Sequence, residues 1–186
     1  MIDLLNPNKE EIVAKWRKEL DAVAHLNKWD LESELAFWAE WSLGRTHILE
    51  LGAYNAASTK IMLLANPELR IEVVDLWQDE GTHETFLAAI ETFKDRVHWN
   101  RMSTEEFFKR GCDIQFDGLL VDAGHTESEV ALDITEGMKL MKPGTLCTGH
   151  DYRPNWNDGV FHAIQKAFEG NVHNPVESIW CYQMPL

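Results

Sequence analysis

Residues 46–59 read THILELGAYNAAST, and the pattern of this stretch decides the fold. An apolar run leads to Gly52, a turn of small residues follows, and a helical pattern begins near Ile61. This order indicates a strand, a tight turn and a helix. A glycine at the turn lets the chain reverse and lets a ligand approach the backbone. The first N–H groups of the helix face the loop, which favours a ligand there.

The number of glycines in this loop narrows the choice of ligand. A dinucleotide loop usually carries G-x-G-x-x-G, because its backbone must touch a pyrophosphate. Here Gly52 is the only glycine between Gly44 and Gly81, and Ala56 stands where a further glycine is common. The loop therefore suits a ligand without a pyrophosphate, and S-adenosylmethionine (SAM) meets that requirement. An ordinary glycine turn in an α/β protein that binds no such ligand is the alternative.

Composition limits the class of protein. A length of 186 residues favours one domain, and a net charge of -14 disfavours nucleic acid as a partner. The sequence contains no apolar run long enough to span a membrane, and its first 11 residues lack the features of a signal peptide. Three distant cysteines, Cys112, Cys147 and Cys181, indicate free thiols in a reducing compartment. We therefore expect a cytoplasmic protein with no membrane partner.

Strand and helix patterns alternate along the chain and predict a parallel α/β sheet. Two amphipathic helices come first, one capped by Asn8 and one opened by Asp30 and ended at Gly44. They predict a helical cover or lid in residues 1–44 before a binding core in residues 45–186. After the first strand, strands are predicted at residues 70–75, 97–100, 116–122, 145–148 and 178–183. The last strand should form a hairpin with residues around Val172 and run antiparallel to the sheet.

Polar residues follow the predicted strands, at the edge where open α/β sheets bind ligands. Asp75 ends the second strand 23 positions after Gly52, where a carboxylate can accept both ribose hydroxyls. Leu76 comes next and could pack against an adenine face. Ser103 follows the third strand and could meet the adenine edge, cap the next helix, or do both. A surface position at a strand end is the alternative for Asp75.

An ordered set of motifs resembles the class I SAM-dependent methyltransferases. The set comprises Glu50-Leu51-Gly52 through Ser58-Thr59, Asp75, F-D-x-x-x-x-D-x-x-H at 116–125, Pro143-Gly144, Gly149-His150-Asp151-Tyr152 and Gly159-Val160. The chain is most similar to the small-molecule O-methyltransferase branch with macrocin- and catechol-type enzymes, from about Leu31 onward. Two positions depart from the family pattern: Ala56 replaces the last glycine of E-x-G-x-x-x-G, and Met102-Ser103 stands where an acidic residue is frequent.

The resemblance implies a single-domain, Rossmann-like methyltransferase fold. Its sheet would have seven mostly parallel strands with an antiparallel C-terminal strand, helices on both faces and two extra N-terminal helices. The motifs and the resemblance together predict these cofactor-binding residues: Glu50, Gly52, Ala53, Tyr54, Asn55, Ser58, Asp75, Leu76, Met102, Ser103 and Asp122.

The acceptor must lose a proton, and His125, His150 and Asp151 are the predicted catalytic residues. Two arrangements are open at this point. Asp122, His150 and Asp151 could hold a divalent metal, Mg²⁺ or Mn²⁺, that lowers the pKa of a bound hydroxyl. Alternatively, His125 or His150 could act as a general base without a metal.

The predicted reaction is methyl transfer to a small-molecule acceptor, most simply to an oxygen. The loop residues Tyr152, Arg153 and Trp156 should shape the acceptor pocket. The chain has no insertion large enough for a substrate domain, so the acceptor is small or a homodimer completes its site. The alternatives are a SAM-binding or SAH-binding protein (SAH, S-adenosylhomocysteine) without transferase activity, a nucleotide-dependent oxidoreductase, and a methyltransferase for a protein or nucleic acid.

Overall fold

The structure, a computed structural model, describes residues 3–28, 31–154 and 158–186. Within these residues six strands form one sheet in the order β3-β2-β1-β4-β5-β6. The strands are β1 His47–Leu51, β2 Arg70–Asp75, β3 Val97–Arg101, β4 Gly118–Val121, β5 Leu146–Gly149 and β6 Trp180–Gln183. The first five are parallel and β6 runs antiparallel to β5. The strand order reverses between β1 and β4, which is the position where open α/β sheets bind ligands.

Helices cover both faces of this sheet. They are α1 Lys9–Lys15, α2 Arg17–Val23, α3 Glu32–Ser42, α4 Ala57–Ala65, α5 Thr82–Ile90, a 3-10 helix at Glu91–Arg96, α6 Thr104–Arg110, α7 Glu127–Lys139 and α8 Asp158–Phe168. Successive strand residues point to opposite faces. Ile48 accordingly joins a core with residues of α1 to α5, and Leu49 joins a second core with residues of α6 to α8.

The turn after β1 depends on Gly52. Its φ is +86°, and a Cβ at this position would lie 2.0 Å from the carbonyl oxygen of Asp122. Its N–H donates to the carbonyl of Val74 at 2.8 Å. The turn is therefore fixed between β2 and the end of β4. Ala56, which precedes α4, has a φ of +71°, a conformation that usually selects glycine.

Two sequence predictions about the ends of the fold need correction. The seventh strand is absent from the described residues, because only His173 pairs with Cys181, in an isolated bridge. Pro175 follows closely and has no N–H to donate to a ladder. At the other end, the single first helix is broken at Trp16, whose ψ of 15° separates α1 from α2.

The N-terminal helices share the core of the sheet. Asn8 caps α1 as predicted, with its side chain accepting from the N–H of Glu11 at 3.2 Å. Asp30, the predicted start of the next helix, lies outside the described residues, and α3 follows Leu31. Trp38 on α3 is fully buried in the same core as Ile48. The division into a cover and a binding core stays a prediction.

Candidate active site

A cavity of about 860 Å³ opens at the carboxyl ends of the parallel strands. Ten of the eleven predicted cofactor-binding residues line it: Gly52, Ala53, Tyr54, Asn55, Ser58, Asp75, Leu76, Met102, Ser103 and Asp122. The three predicted catalytic residues, His125, His150 and Asp151, line the same cavity. The sequence motifs, which span more than 90 positions, therefore meet in one place.

The carboxylate of Asp75 organises the turn after β1. One oxygen accepts from the N–H groups of Ala53 at 2.8 Å and Tyr54 at 2.9 Å. The other accepts from the N–H of Trp77 at 2.6 Å. A carboxylate offers about four lone-pair positions, so it can accept a further hydroxyl beside these three amides. Asp75 thus holds the loop and faces the cavity at the same time.

Glu50 differs from the prediction that it binds the cofactor. Its side chain is fully buried beneath the loop and does not line the cavity. Its two oxygens accept from the hydroxyls of Ser58 at 2.5 Å and Thr59 at 2.7 Å. Burial raises the pKa of Glu50 to about 8 against these hydrogen bonds. The side chain supports the first turn of α4 from below because β1 directs it into the interior.

His150 is held between carboxylates on both sides of its ring. Its Nε2 lies 3.2 Å from Glu34 Oε2, and its Nδ1 lies 3.7 Å from Asp122 Oδ1 and 3.5 Å from Asp151 Oδ1. Trp38 packs nearby, with ring centroids 5.6 Å apart. Burial lowers the pKa of His150, but Asp122 and Glu34 outweigh it and raise the pKa to about 11.

This environment bears on both predicted roles of His150, which stay predictions. The neighbouring carboxylates favour the imidazolium form, in which both nitrogens carry protons. Removal of a proton from Nδ1 or Nε2 is needed before His150 can act as a base or as a metal ligand. The matching effect appears on Glu34: burial opposes its charge, yet the contact with His150 lowers the pKa of Glu34 to about 2.

His125 instead joins the two aspartates. Its Nε2 lies 2.8 Å from Asp151 Oδ2, and this hydrogen bond raises the pKa of His125 above its ordinary value. Asp122, His125 and Asp151 each offer one ligand atom, and these atoms lie within 4.8 Å of one another. Asp151 has a φ of +60°, so its backbone adopts a strained conformation at the site.

The donor set of this cluster fits a divalent cation. Two carboxylates suit Mg²⁺, and the added imidazole favours Mn²⁺. His150 lies close to both aspartates, with Glu34 on its other side. Burial raises the pKa of Asp122, whereas for Asp151 burial is outweighed by the contacts with His125 and His150, which lower the pKa. Compared with the sequence prediction, His125 replaces His150 in the candidate metal set.

Glu34 lies behind the cavity wall, in contact with His150, and was not identified from the sequence. It lies on α3 with no exposed surface, more than 80 positions before Asp122. One feature of the sequence, the spacing of apolar residues around Glu34, could have identified this residue. Leu31, Leu35 and Trp38 recur at helical spacing in the sequence, and Glu34 falls on the same face. A carboxylate on a core-facing stripe usually has a partner in the interior.

The loop after β5 contributes less than predicted. Arg153 lines the cavity, and its Nη2 lies 3.8 Å from Glu34 Oε1. Tyr152 does not line the cavity but stacks on Phe161 at a centroid distance of 5.1 Å. Trp156 lies outside the described residues. On the opposite side, Leu26 and Lys28 of the N-terminal region reach the cavity.

Comparison with known proteins agrees with this geometry. Residues 49–152, more than half of the chain, match the sequence family described as a methyltransferase domain. The sequence has no significant match among curated proteins. Within the parts of the chain that the structure describes, every helix is too short or too polar to cross a membrane.

Solved structures show the same fold at low sequence identity. The O-methyltransferase from Bacillus cereus in complex with SAH is 17% identical, with a TM-score of 0.68 over 95% of this chain and 92% of that chain. TomG from Streptomyces achromogenes, an O-methyltransferase involved in tomaymycin synthesis and solved with SAM, is 13% identical, with a TM-score of 0.66 over 96% and 92%. SAH-bound PaMTH1 from Podospora anserina is 15% identical, with a TM-score of 0.68 over 100% and 88%.

These findings confirm the predicted family and the predicted α/β class, with six described strands in place of seven. The chain belongs to the methyltransferase domain family and has the Rossmann-like fold of the class I O-methyltransferases.

Proposed function

We propose that this protein transfers a methyl group from SAM to an oxygen of a small-molecule acceptor. The observation that carries the proposal is the shared cavity. It is lined by the loop after β1 and by Asp75 for the cofactor, and by His125 and Asp151 for the acceptor proton. The neighbours solved with SAM or SAH support the choice of cofactor.

The cofactor side of the cavity offers what SAM requires. Asp75 would accept one ribose hydroxyl at its remaining lone-pair position, and Leu76, which is 44% exposed at the cavity, would face the adenine. Ser103 lies on the same wall and would meet the adenine edge. Ligand pockets of roughly 300–1,000 Å³ hold drug-sized molecules, so a cavity of about 860 Å³ has room for cofactor and acceptor.

The acceptor side offers a base with a fixed orientation. With Nε2 of His125 donating to Asp151, Nδ1 becomes its basic nitrogen. The acceptor oxygen forms a bond to the methyl carbon as the carbon–sulfur bond breaks. The acceptor proton passes to His125, and SAH leaves with the electron pair on sulfur. Because the sulfonium supplies the electrophile, the protein needs only to position the acceptor and take its proton.

A metal at Asp122, His125 and Asp151 is the second arrangement that the geometry supports. The three donor atoms within 4.8 Å of one another favour it. Mg²⁺ or Mn²⁺ held there would lower the pKa of an acceptor hydroxyl. The protein would then contribute the ligands, and His125 would no longer be available as a base.

Arg153 and Lys28 bound the remaining part of the cavity, where the acceptor would sit. No separate substrate domain surrounds this part of the described chain, which favours a small acceptor. A homodimer that completes the acceptor site stays a prediction.

Calorimetric titration with SAM and SAH, each with and without Mg²⁺ or Mn²⁺, tests the proposal. We expect the natural protein to bind SAM with a micromolar dissociation constant and Asp75→Ala to abolish this binding. Asp113→Ala is the control, because Asp113 is exposed and lies away from the cavity, and it should leave the binding intact. Turnover is then measured as SAH release with a panel of catechols and other hydroxylated small molecules. Absence of binding under every condition would refute the proposal. Binding without turnover would favour a SAM-binding protein that transfers no methyl group.

A further inference from the structure

The carboxylate of Glu34 connects three parts of the chain. Its Oε1 accepts from the N–H of Ser178 at 3.0 Å and from the Ser178 hydroxyl at 2.6 Å. Its Oε2 accepts from the N–H of Leu31 at 2.8 Å and lies 3.2 Å from His150 Nε2. One side chain therefore links the start of α3, the segment before β6 and the end of β5.

Comparison with the capping boxes of α6 and α7 shows that helix capping does not explain the burial of Glu34. Glu106 caps α6 with Ser103, and Glu129 caps α7 with Thr126. Both of these glutamates are exposed, whereas Glu34 has no exposed surface. A buried carboxylate is costly unless it is paired and hydrogen-bonded. The burial of Glu34 is therefore explained by its partners in the interior, Ser178 and His150.

We propose that Glu34 is a positioning residue for methyl transfer, which acts by holding the His150 ring against Asp122 and Asp151. The inference rests on the proposed function for its catalytic consequence. It makes α3 part of the active site and not only a cover over the sheet.

The geometry gives the reason for this role. Glu34 contacts Nε2, so it fixes the rotation of the ring and directs Nδ1 towards both aspartates. Without this contact the ring could rotate away from Asp122 and Asp151. Asp151 would then lose its alignment with His125, which it contacts at 2.8 Å.

The test compares Glu34→Gln with Glu40→Gln. Glu40 is a matched control because it lies on the same helix and binds Lys15 and the Trp16 indole, away from the cavity. Four quantities are measured for each variant: the melting temperature, the SAM dissociation constant, kcat and KM for SAM, and the His150 ring resonances in NMR spectra. His150→Gln assigns those resonances, because they disappear in that variant.

We expect Glu34→Gln to keep its SAM affinity and KM within about threefold and to lose kcat by about 10- to 100-fold, the range typical of residues that orient catalytic ligands. The His150 resonances should shift in Glu34→Gln and stay in place in Glu40→Gln. Equal kcat values and equal His150 resonances in the two variants would overturn the inference.

A second variant covers the case in which Glu34→Gln fails to fold. The double variant Glu34→Gln with His150→Gln removes both members of the buried pair and leaves neither charge alone. We expect it to fold and still to have a low kcat. A kcat restored to that of the natural protein would show a purely structural pair and would overturn the inference.

The two proposals fail in different ways. If the natural protein transfers no methyl group to any acceptor, the proposed function fails. The NMR comparison then decides the inference alone: unchanged His150 resonances in Glu34→Gln refute it, and shifted ones support the positioning contact.

Discussion

The two sides of the cavity are built in different ways. The cofactor side is built from short segments at strand ends: Asp75 accepts from the N–H groups of Ala53 and Tyr54, and the turn after β1 lies beside the ends of β2, β3 and β4. The acceptor side is the catalytic side of the proposed reaction and contains His125, His150 and Asp151. It is assembled from distant segments, because Glu34 and His150 meet only in the folded chain. Hydrogen bonds from backbone N–H groups organise the cofactor side, and ion pairs between buried side chains organise the catalytic side. The comparison teaches that short segments at strand ends can form one wall of the cavity, whereas the other wall depends on contacts across the whole fold.

Substitution of Gly52 should disrupt both sides at once and gives the largest expected effect. Gly52→Ala places a Cβ 2.0 Å from the carbonyl oxygen of Asp122 at a φ of +86°. We expect loss of SAM binding by calorimetry and a free energy of unfolding lower by about 3–5 kcal/mol in urea titration. Gly44→Ala is the control: its φ is +76° with no atom within 4 Å, so it should cost only about 1–2 kcal/mol. Equal losses in the two variants would contradict the prediction.

Substitution of His125 should affect the catalytic side alone. His125→Gln removes the group that contacts Asp151 at 2.8 Å. We expect kcat to fall by about 10²–10⁴-fold, the contribution typical of a general base, with SAM affinity nearly unchanged. His162→Gln, at an exposed histidine of α8, should leave both quantities as they are. A loss of SAM affinity as large as the loss of kcat would show that the two sides are not separable.

Glu50 should make the stability of the cofactor side depend on pH. Its pKa is raised by burial from 4.5 to about 8, so the fold favours the protonated carboxyl. The corresponding stability is complete below pH 4.5 and is lost as the pH rises through 8. Glu50→Gln lacks this loss, and its free energy of unfolding relative to the natural protein should rise by a few kcal/mol from about pH 5 to pH 8. Thermal unfolding at several pH values measures the free energy of unfolding of both proteins, and Glu68→Gln, at an exposed glutamate, is the control. If the difference between Glu50→Gln and the natural protein does not change with pH, the prediction is contradicted.

The smallest effect concerns the departure from the family loop at Ala56. Ala56 and Ala57 are both buried, but Ala56 has a φ of +71° and Ala57 lies in α4. Glycine relieves strain at position 56 and costs entropy in a helix. We expect Ala56→Gly to be more stable than Ala57→Gly by about 1–2 kcal/mol and to bind SAM at least as well as the natural protein. The reverse order of stabilities would show that the loop has adapted to alanine.

Local patterns were sufficient to predict which residues meet on one wall of the cavity, and their role in cofactor binding stays a prediction. The glycine turn at Gly52 and the carboxylate at Asp75 lie at the ends of short apolar runs, and strand ends of a parallel sheet meet at one edge. Glu50 was misplaced by the same logic. It lies in β1 itself, where alternation along the strand turns its side chain into the interior.

The ion pairs of the catalytic side, His150 with Glu34 and His125 with Asp151, could not be predicted from local sequence patterns. The ionisation of His150 depends on Glu34, more than 110 positions earlier, and no spacing rule connects the two. His125 could be proposed as a base from its position after β4, but its contact with Asp151 depends on how the loops after β4 and β5 approach one another. The missing seventh strand has a local cause, Pro175, that the hairpin prediction did not weigh.

The bond between Glu34 and Ser178 has a consequence for the order in which the protein becomes competent. These residues are 144 positions apart, so they close one of the longest loops in the chain. Contacts of such separation form late, after local elements have appeared. During synthesis, the turn that holds the cofactor can form while the segment that contains Ser178 is still inside the ribosome. The turn after β1 can therefore be in place before Glu34 acquires its partner Ser178, and the contacts around His150 are completed only in the finished fold.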